Sequence, residues 1–189
     1  MLRSTLIILL LAFSAAAGAE DFNYNYVSAG FGTIDFDGVD ADGDGFTIGG
    51  SFAISDNLHV FAGYETADLD FGVDATTWNA GLGYNTSVSD AIDLVAKLSY
   101  EYVEIDAPLV SGFDDNGLGL GVGLRFAASE AVELNAGIDY VDYSDGGDDT
   151  SFAAGGRYNF SDAFSVGLDG RWGDDISRYA ISGRYYFGH

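Results

Sequence analysis

From residue 22 to the end of the chain, apolar and polar residues alternate with a period of two. That is the repeat of a pleated strand with two unlike faces, not the 3.6-residue repeat of a helix. Phe46, Ile48, Phe52 and Ile54 alternate with Thr47, Gly49, Ser51 and Ala53. Leu94, Ala96, Leu98, Tyr100 and Tyr102 alternate with Asp93, Val95, Lys97, Ser99 and Glu101. Further on, Leu118, Leu120, Val122, Leu124 and Phe126 face away from a ladder of Gly117, Gly119, Gly121 and Gly123 that ends at Arg125. Comparable stripes run from Leu58 to Tyr64, Trp78 to Tyr84, Val132 to Tyr140, Phe152 to Phe160, Phe164 to Trp172 and Tyr179 to Phe187. The opening segment, Asn23 to Thr33, is less regular: Val27, Ala29 and Phe31 form its apolar face and leave Tyr24 and Tyr26 on the other. The pattern predicts ten strands of nine or ten residues, the length a tilted strand needs to cross a bilayer.

Two kinds of connection join these segments in alternation. Short ones fall at Ser55-Asp56-Asn57, Ser87 to Ala91, Ala128-Ser129-Glu130 and Ser161-Asp162-Ala163. Between them come acidic loops, mostly longer: Asp35 to Gly45, Asp68 to Asp74, Glu104 to Asp115 with the sole proline Pro108, Asp142 to Asp149, and the brief Gly173-Asp174-Asp175. Those five hold 18 of the 30 acids and no Lys or Arg. Short turns at one rim and longer loops at the other are the plan of an outer-membrane barrel.

Alternation alone does not say which face meets which solvent. A soluble barrel, such as a periplasmic binding protein, would turn its apolar stripes inward. Three features bear on the choice. The polar stripes are rich in Gly, Ala, Ser and Asn with almost no Lys, which suits a narrow interior better than a water-facing sheet. Aromatics gather at both ends of the apolar stripes: Trp78, Tyr100, Tyr102, Tyr140 and Trp172 toward the acidic loops, and Tyr84, Phe126, Tyr158, Phe160, Phe164, Tyr185 and Phe187 toward the short turns. Two such girdles match two lipid–water boundaries. Finally, Lys97, Arg125, Arg157, Arg171, Arg178 and Arg184 all share the polar face. On the lipid face each would cost about 2–4 kcal/mol near the midplane. This last point tests the strand register and fits either arrangement.

Charges enclosed in a tight lumen need partners. The polar face offers Glu65, Asp93, Glu101, Glu133, Asp139 and Asp169 to the six cations. Arg125 and Glu133 flank the third short turn symmetrically, so a simple hairpin sets them opposite each other, and Lys97 lies two inward steps from Glu101 on one strand. A charged network that fills much of the barrel is expected. Its rival is a narrow passive pore for small solutes, for which the glycine ladder is the main support; otherwise those glycines make room for long arginines from across the lumen.

The leader and the composition narrow the setting. Met1-Leu2-Arg3, the apolar run Leu6 to Phe13 and the small-residue site Ala17-Gly18-Ala19 read as a secretory signal peptide over residues 1–19, which leaves residues 20–189 as the barrel domain. The run is too short to cross about 30 Å of hydrocarbon, and no Cys follows it to carry a lipid anchor. A net charge of −23 argues against nucleic acid, and 48% hydrophobic residues argue against a disordered acidic chain. With no Cys there is neither a disulfide framework nor a thiolate site.

Asp40-Ala41-Asp42-Gly43-Asp44-Gly45 copies the opening of an EF-hand loop, but Ser51 stands at the twelfth position, where a bidentate Glu is required. Weak, non-specific Ca²⁺ or Mg²⁺ association at Asp40, Asp42 and Asp44 is the expectation there, with no other cofactor. Enzymatic chemistry is poorly supported. His59 follows a short turn and His189 ends the chain, far from the acidic rim, and no G-x-S-x-G or H-E-x-x-H occurs.

The residues now assembled resemble small bacterial outer-membrane β-barrel proteins of the OmpA/OmpX-like grouping, over essentially the whole mature chain. Tyr24-Asn25-Tyr26-Val27, His59 to Tyr64, Trp78 to Asn85 and Asp93-Leu94-Val95-Ala96 are similar to a family of small barrels once reported as a secreted quorum and immunity factor. The resemblance implies an outer-membrane location, without the signalling role. The ending Tyr185-Tyr186-Phe187 resembles the aromatic-terminated strand read by the barrel-assembly machinery, with Gly188 and His189 following the usual terminal aromatic.

The reading is thus an all-β, transmembrane antiparallel up-and-down β-barrel of ten strands, monomeric, in a Gram-negative outer membrane. Its lumen network is Glu65, Lys97, Glu101, Arg125, Glu133, Asp139, Arg157, Asp169, Arg171, Arg178 and Arg184; its girdles include Trp78, Tyr100, Tyr140, Trp172, Tyr185 and Phe187. The expected role is structural or surface-interacting: membrane integrity, divalent-cation and lipopolysaccharide contact, or adhesion.

Overall fold

The computed structural model describes residues 22–36, 42–108, 112–145 and 147–188. The expected leader, Asp40 and His189 lie outside them. Ten strands follow in order: β1 (Tyr26–Phe36), β2 (Asp42–Ala53), β3 (Leu58–Leu69), β4 (Val73–Ser89), β5 (Ile92–Asp106), β6 (Phe113–Ser129), β7 (Val132–Tyr143), β8 (Gly147–Ser161), β9 (Phe164–Trp172) and β10 (Ile176–Tyr186). Each pairs antiparallel with its sequence neighbours, and β1 closes on β10, with Tyr26 opposite Tyr186 and Phe36 opposite Ile176. Closure leaves no free edge and satisfies every ladder without water, as hydrocarbon demands.

Three of the four short turns share one design. Ser89-Asp90-Ala91, Ser129-Glu130-Ala131 and Ser161-Asp162-Ala163 each follow a β-bulge in the strand that enters the turn. The serine hydroxyl accepts a backbone N–H inside the turn, from Ala91 at 3.4 Å, Val132 at 3.2 Å and Ala163 at 3.3 Å. A carbonyl of each turn then accepts an N–H from a strand further round the rim: Ala91 from Ala127, Ala131 from Asn159 and Ala163 from Tyr186. The short-turn rim is stitched shut around much of its circumference.

The faces divide by solvent as the inverted arrangement requires. Val27, Phe31, Ile48, Leu82, Leu98, Leu118, Leu120, Ile138, Leu168 and Ile181 all point outward and lie half to two-thirds exposed. A continuous apolar band of that extent belongs against lipid, not water. Among the described residues the buried side chains other than glycine are mostly polar, ten such as Asp93, Glu133 and Arg157 against five apolar ones. Lys97, Arg125, Arg157, Arg171, Arg178 and Arg184 all occupy inward positions.

Two expectations need correction. Nine of the ten strands are longer than nine or ten residues, reaching 17 in β4 and β6, while β9 keeps to nine. They are longer because most of the supposed acidic loops are strand: β1 runs through Asp35, β2 begins at Asp42, β3 runs through Asp68, β5 through Asp106 and β7 through Asp142. In this upper zone the alternation continues with its polarity reversed. Asp35, Asp68, Glu104, Asp106 and Asp142 point outward, while Ile34, Ala67 and Val141 are buried inside. Above the lipid the wall meets water, so the same pleat now favours an apolar inside and a charged outside.

Candidate functional site

The middle and upper lumen hold the more solvated ion pairs. Lys97 Nζ lies 2.7 Å from one oxygen of Asp139, and Arg171 Nη2 lies 3.2 Å from the other, so one carboxylate joins β5 to β9. Arg178 faces Glu65 at 3.6 Å, too long for a hydrogen bond. Glu101 accepts the hydroxyl of Ser99 on its own strand and takes no part in the Lys97 pair. Lys97, Arg171 and Arg178 keep roughly a third to nearly half of their side-chain surface open, at 35%, 45% and 34%.

Lower down the interior dries out. Arg125 Nε and Nη2 donate to the two oxygens of Glu133, each at 2.8 Å, with only 11% and 8% of the two side chains exposed. The bidentate fork supplies the geometry that an enclosed charge pair needs. Register does not set these residues opposite each other. Arg125 faces Asn135, and Glu133 faces Ala127, because the turn is only two residues long and its bulge displaces the ladder. The long arginine side chain closes the difference.

Arg157, 3% exposed in its side chain, donates to Ser165 Oγ and Ser182 Oγ at 3.4 and 3.2 Å and lies 3.5 Å from Asp169. Arg184 stacks 3.8 Å above the Tyr26 ring and donates to the Tyr186 hydroxyl. His59 is buried, bonds Asn85 at 3.3 Å and stacks on Tyr24, a packing role at the short-turn end.

The interior glycines have a specific task. Lys97, Gly121 and Asp139 occupy one row across β5, β6 and β7. Asn135, Gly155 and Asp169 repeat the arrangement across β7, β8 and β9, and Arg157, Gly167 and Ser182 across β8, β9 and β10. In each row the outer two side chains bond over the glycine. A Cβ on Gly121 would fall on the Asp139 carboxylate and the Lys97 chain, and one on Gly167 would meet the Arg157 guanidinium. These glycines accommodate second-neighbour pairs along the wall, not arginines from across the lumen. Alternation predicts the faces but not these rows, whose signal is a lumen-facing glycine between polar residues on both neighbouring strands.

Sequence reasoning missed the segment ahead of β1. Asn23 Oδ1 accepts the Asn25 N–H at 2.8 Å, turning the chain into the short-turn mouth. Tyr24, 8% exposed, donates to Asp93 Oδ2 at 2.9 Å, and its ring lies 4.6 Å from both His59 and the Arg125 guanidinium carbon. Burial pushes the Tyr24 hydroxyl well above the ordinary phenol range; Arg125 opposes this and Asp93 adds to it, so the proton stays on the donor. The available hint was parity, since Tyr24 and Tyr26 fall on the polar face where the other strands carry small residues.

Outside, Trp78 packs against Tyr100 and Tyr102 at 5.5 Å, and Trp172 against Phe152 and Tyr179, with its indole N–H donated to the Tyr179 hydroxyl at 3.1 Å. Tyr140 also points outward at this level, while Tyr185 packs on Phe164 near the turns. Phe187 lies just past β10, its N–H bonded to Asn25 O. Above the upper girdle runs a belt of outward carboxylates, many set directly opposite one another: Asp35 and Asp42, Asp44 and Asp68, Asp68 and Asp74, Asp74 and Asp106, Glu104 and Asp114, Asp142 and Asp148. Asp42 and Asp44 belong to this belt as extended strand residues, not to a coordinating loop. Among the described residues no three acids or histidines converge as a metal cage.

Residues 5–171 match the family described as the outer membrane protein beta-barrel domain. No curated protein matches the chain. Among solved structures, the translocator domain of autotransporter NalP from Neisseria meningitidis is 11% identical with a TM-score of 0.55, covering 89% of this chain and 91% of that one. The KdgM porin in complex with disordered oligogalacturonate is 11% identical with a TM-score of 0.49, over 86% of this chain and 99% of that one. Ail, the attachment invasion locus protein of Yersinia pestis, is 12% identical with a TM-score of 0.44, over 87% and 99%. Identities this low speak to fold alone. With a closed ten-stranded wall, an outward apolar band and the family match in hand, the chain belongs to the outer-membrane protein β-barrel domain family and resides in the outer membrane of a Gram-negative bacterium.

Proposed function

We propose that this barrel is a structural anchor of the outer leaflet, holding lipopolysaccharide through divalent cations shared between its carboxylate belt and the lipid's phosphates. The observation that carries this reading is the belt itself. Like charges set directly opposite on adjacent strands destabilise a sheet unless something between them compensates. A hard divalent cation takes carboxylate and phosphate oxygens alike. The belt stands immediately above Trp78, Tyr100, Tyr102 and Tyr140, and aromatics of this kind mark the headgroup level where such phosphates lie. Among the described residues no Lys or Arg points outward to neutralise it.

In this reading the cations are weakly held and the protein acts as a monomer, inserted by the assembly machinery through β10. The test is the triple variant Asp68→Asn, Asp74→Asn and Asp106→Asn, reconstituted with lipopolysaccharide. It should lose most of the Ca²⁺-dependent rise in thermal stability that the parent shows. An unchanged Ca²⁺ response would sink the proposal.

A second reading, a narrow passage for small solutes, draws on the exposure of Lys97, Arg171 and Arg178 in the middle and upper lumen. Steady single-channel openings of the parent protein would favour it.

A further inference from the structure

The exposure of the lumen side chains is graded along the barrel. Exposure falls from 45% and 34% at Arg171 and Arg178 near the acidic rim, through 35% at Lys97 partway down β5, to 11%, 8% and 3% at Arg125, Glu133 and Arg157 near the short turns. The side chains that line this vestibule are open above and enclosed below.

The chain segment ahead of β1 crosses this enclosed end. In a ring of ten strands, β6 stands diametrically across from β1. Phe22 and Tyr24, which precede β1, nonetheless hold the Arg125 guanidinium of β6 between them, with its central carbon 4.7 and 4.6 Å from the two ring centres. Arg125 Nη1 also reaches Asn23 O at 3.5 Å. On the way across, Tyr24 stacks on His59 of β3 and donates to Asp93 of β5, which accepts a second hydrogen bond from Ser87 Oγ at 2.8 Å. Four consecutive residues thus form a crossbar over the full width of the mouth.

The attachments of this crossbar are of a releasable kind. No residue of Phe22–Asn25 belongs to a strand, so removing the crossbar from the mouth breaks no ladder. It is held by two cation–π contacts, one ring stack and one strong hydrogen bond. Behind it Asn25 is pinned on both sides, its Oδ1 accepting the Ala53 N–H and its O accepting the Phe187 N–H, and serves as the fixed hinge.

We propose that Phe22–Tyr24 is a displaceable plug, and that its release from Arg125, His59 and Asp93 opens the vestibule through to the periplasm. The plug acts on ion passage and leaves the carboxylate belt untouched, so the two proposals fail separately.

The full mature chain in planar bilayers tests it, with Phe22→Ala, Tyr24→Ala and Tyr24→Phe beside the parent. The parent should be closed most of the time. Phe22→Ala and Tyr24→Ala should raise mean conductance several-fold, while Tyr24→Phe, which keeps the stack, should stay near the parent. Heat-modifiable gel migration reports whether each variant is a folded barrel. If Tyr24→Ala fails to fold, Phe22→Ala decides alone, because that ring precedes every strand pairing. The proposal is overturned if folded variants are as silent as the parent, or if the parent conducts as freely as they do.

Discussion

Arg125 and Glu133 form a bidentate pair across a turn whose register leaves them one inward step out of line. The pair sits at the dry end of the lumen, so each partner depends on the other.

Glu133→Ala leaves a guanidinium enclosed without its counter-charge. We expect a loss of about 3–5 kcal/mol, read by urea unfolding in lipid vesicles. Replacing both residues together, as Arg125→Met with Glu133→Leu, should cost far less. Equal losses for the single and the double change would show that the pairing is not what matters there.

The glycine rows make a steric prediction. Gly121→Ala places a methyl on the line between Lys97 and Asp139 and should destabilise the barrel by about 1–3 kcal/mol. Gly183→Ala, on the lipid face of β10 with nothing within 4 Å of the new carbon, should be neutral or slightly stabilising. The same unfolding experiment compares them; similar effects for both would refute the idea that the inward glycine is there for its neighbours.

Lipid contact can be tested at Leu120, which lies outward in the middle of β6 and is 58% exposed. Leu120→Arg should cost about 2–4 kcal/mol in bilayers. If the variant matched the parent, the outward stripe would not be facing acyl chains.

At the tip between β3 and β4, Phe71 adopts φ 65°, a left-handed conformation unfavourable for a bulky side chain, and is 85% exposed. Phe71→Gly removes the Cβ conflict and should raise stability by about 1 kcal/mol. A lower midpoint instead would mean that the ring contributes a stabilising contact.

The ten strands and their lipid faces were readable because the period-two pattern persists along Leu94–Tyr102 and Leu118–Phe126, where nothing competes with it. The strand ends were not. Asp is disfavoured in strands on average, so Asp35, Asp68 and Asp106 read as loop, although a closed ladder carries the backbone on past the lipid. Ile34, Ala67 and Val141 held the missing signal, since they keep the alternation in step while trading faces with the acids. The lumen charges were legible as a set but not as pairs. Lys97 joins Asp139, two strands away, instead of Glu101 on its own strand, and only the register of β6 brings them together. The N-terminal crossbar was invisible because its contacts run between residues as far apart as 22 and 125, which no local pattern connects.

The reversal of polarity above the upper girdle also guards against misthreading. A one-residue slip of β5 would throw Lys97 among acyl chains and, in the same stroke, thrust Ile105 into water and draw Glu104 into the bore. Each strand that crosses the boundary is thereby proofread by two solvents at once, and a wrong alignment that satisfies one is rejected by the other.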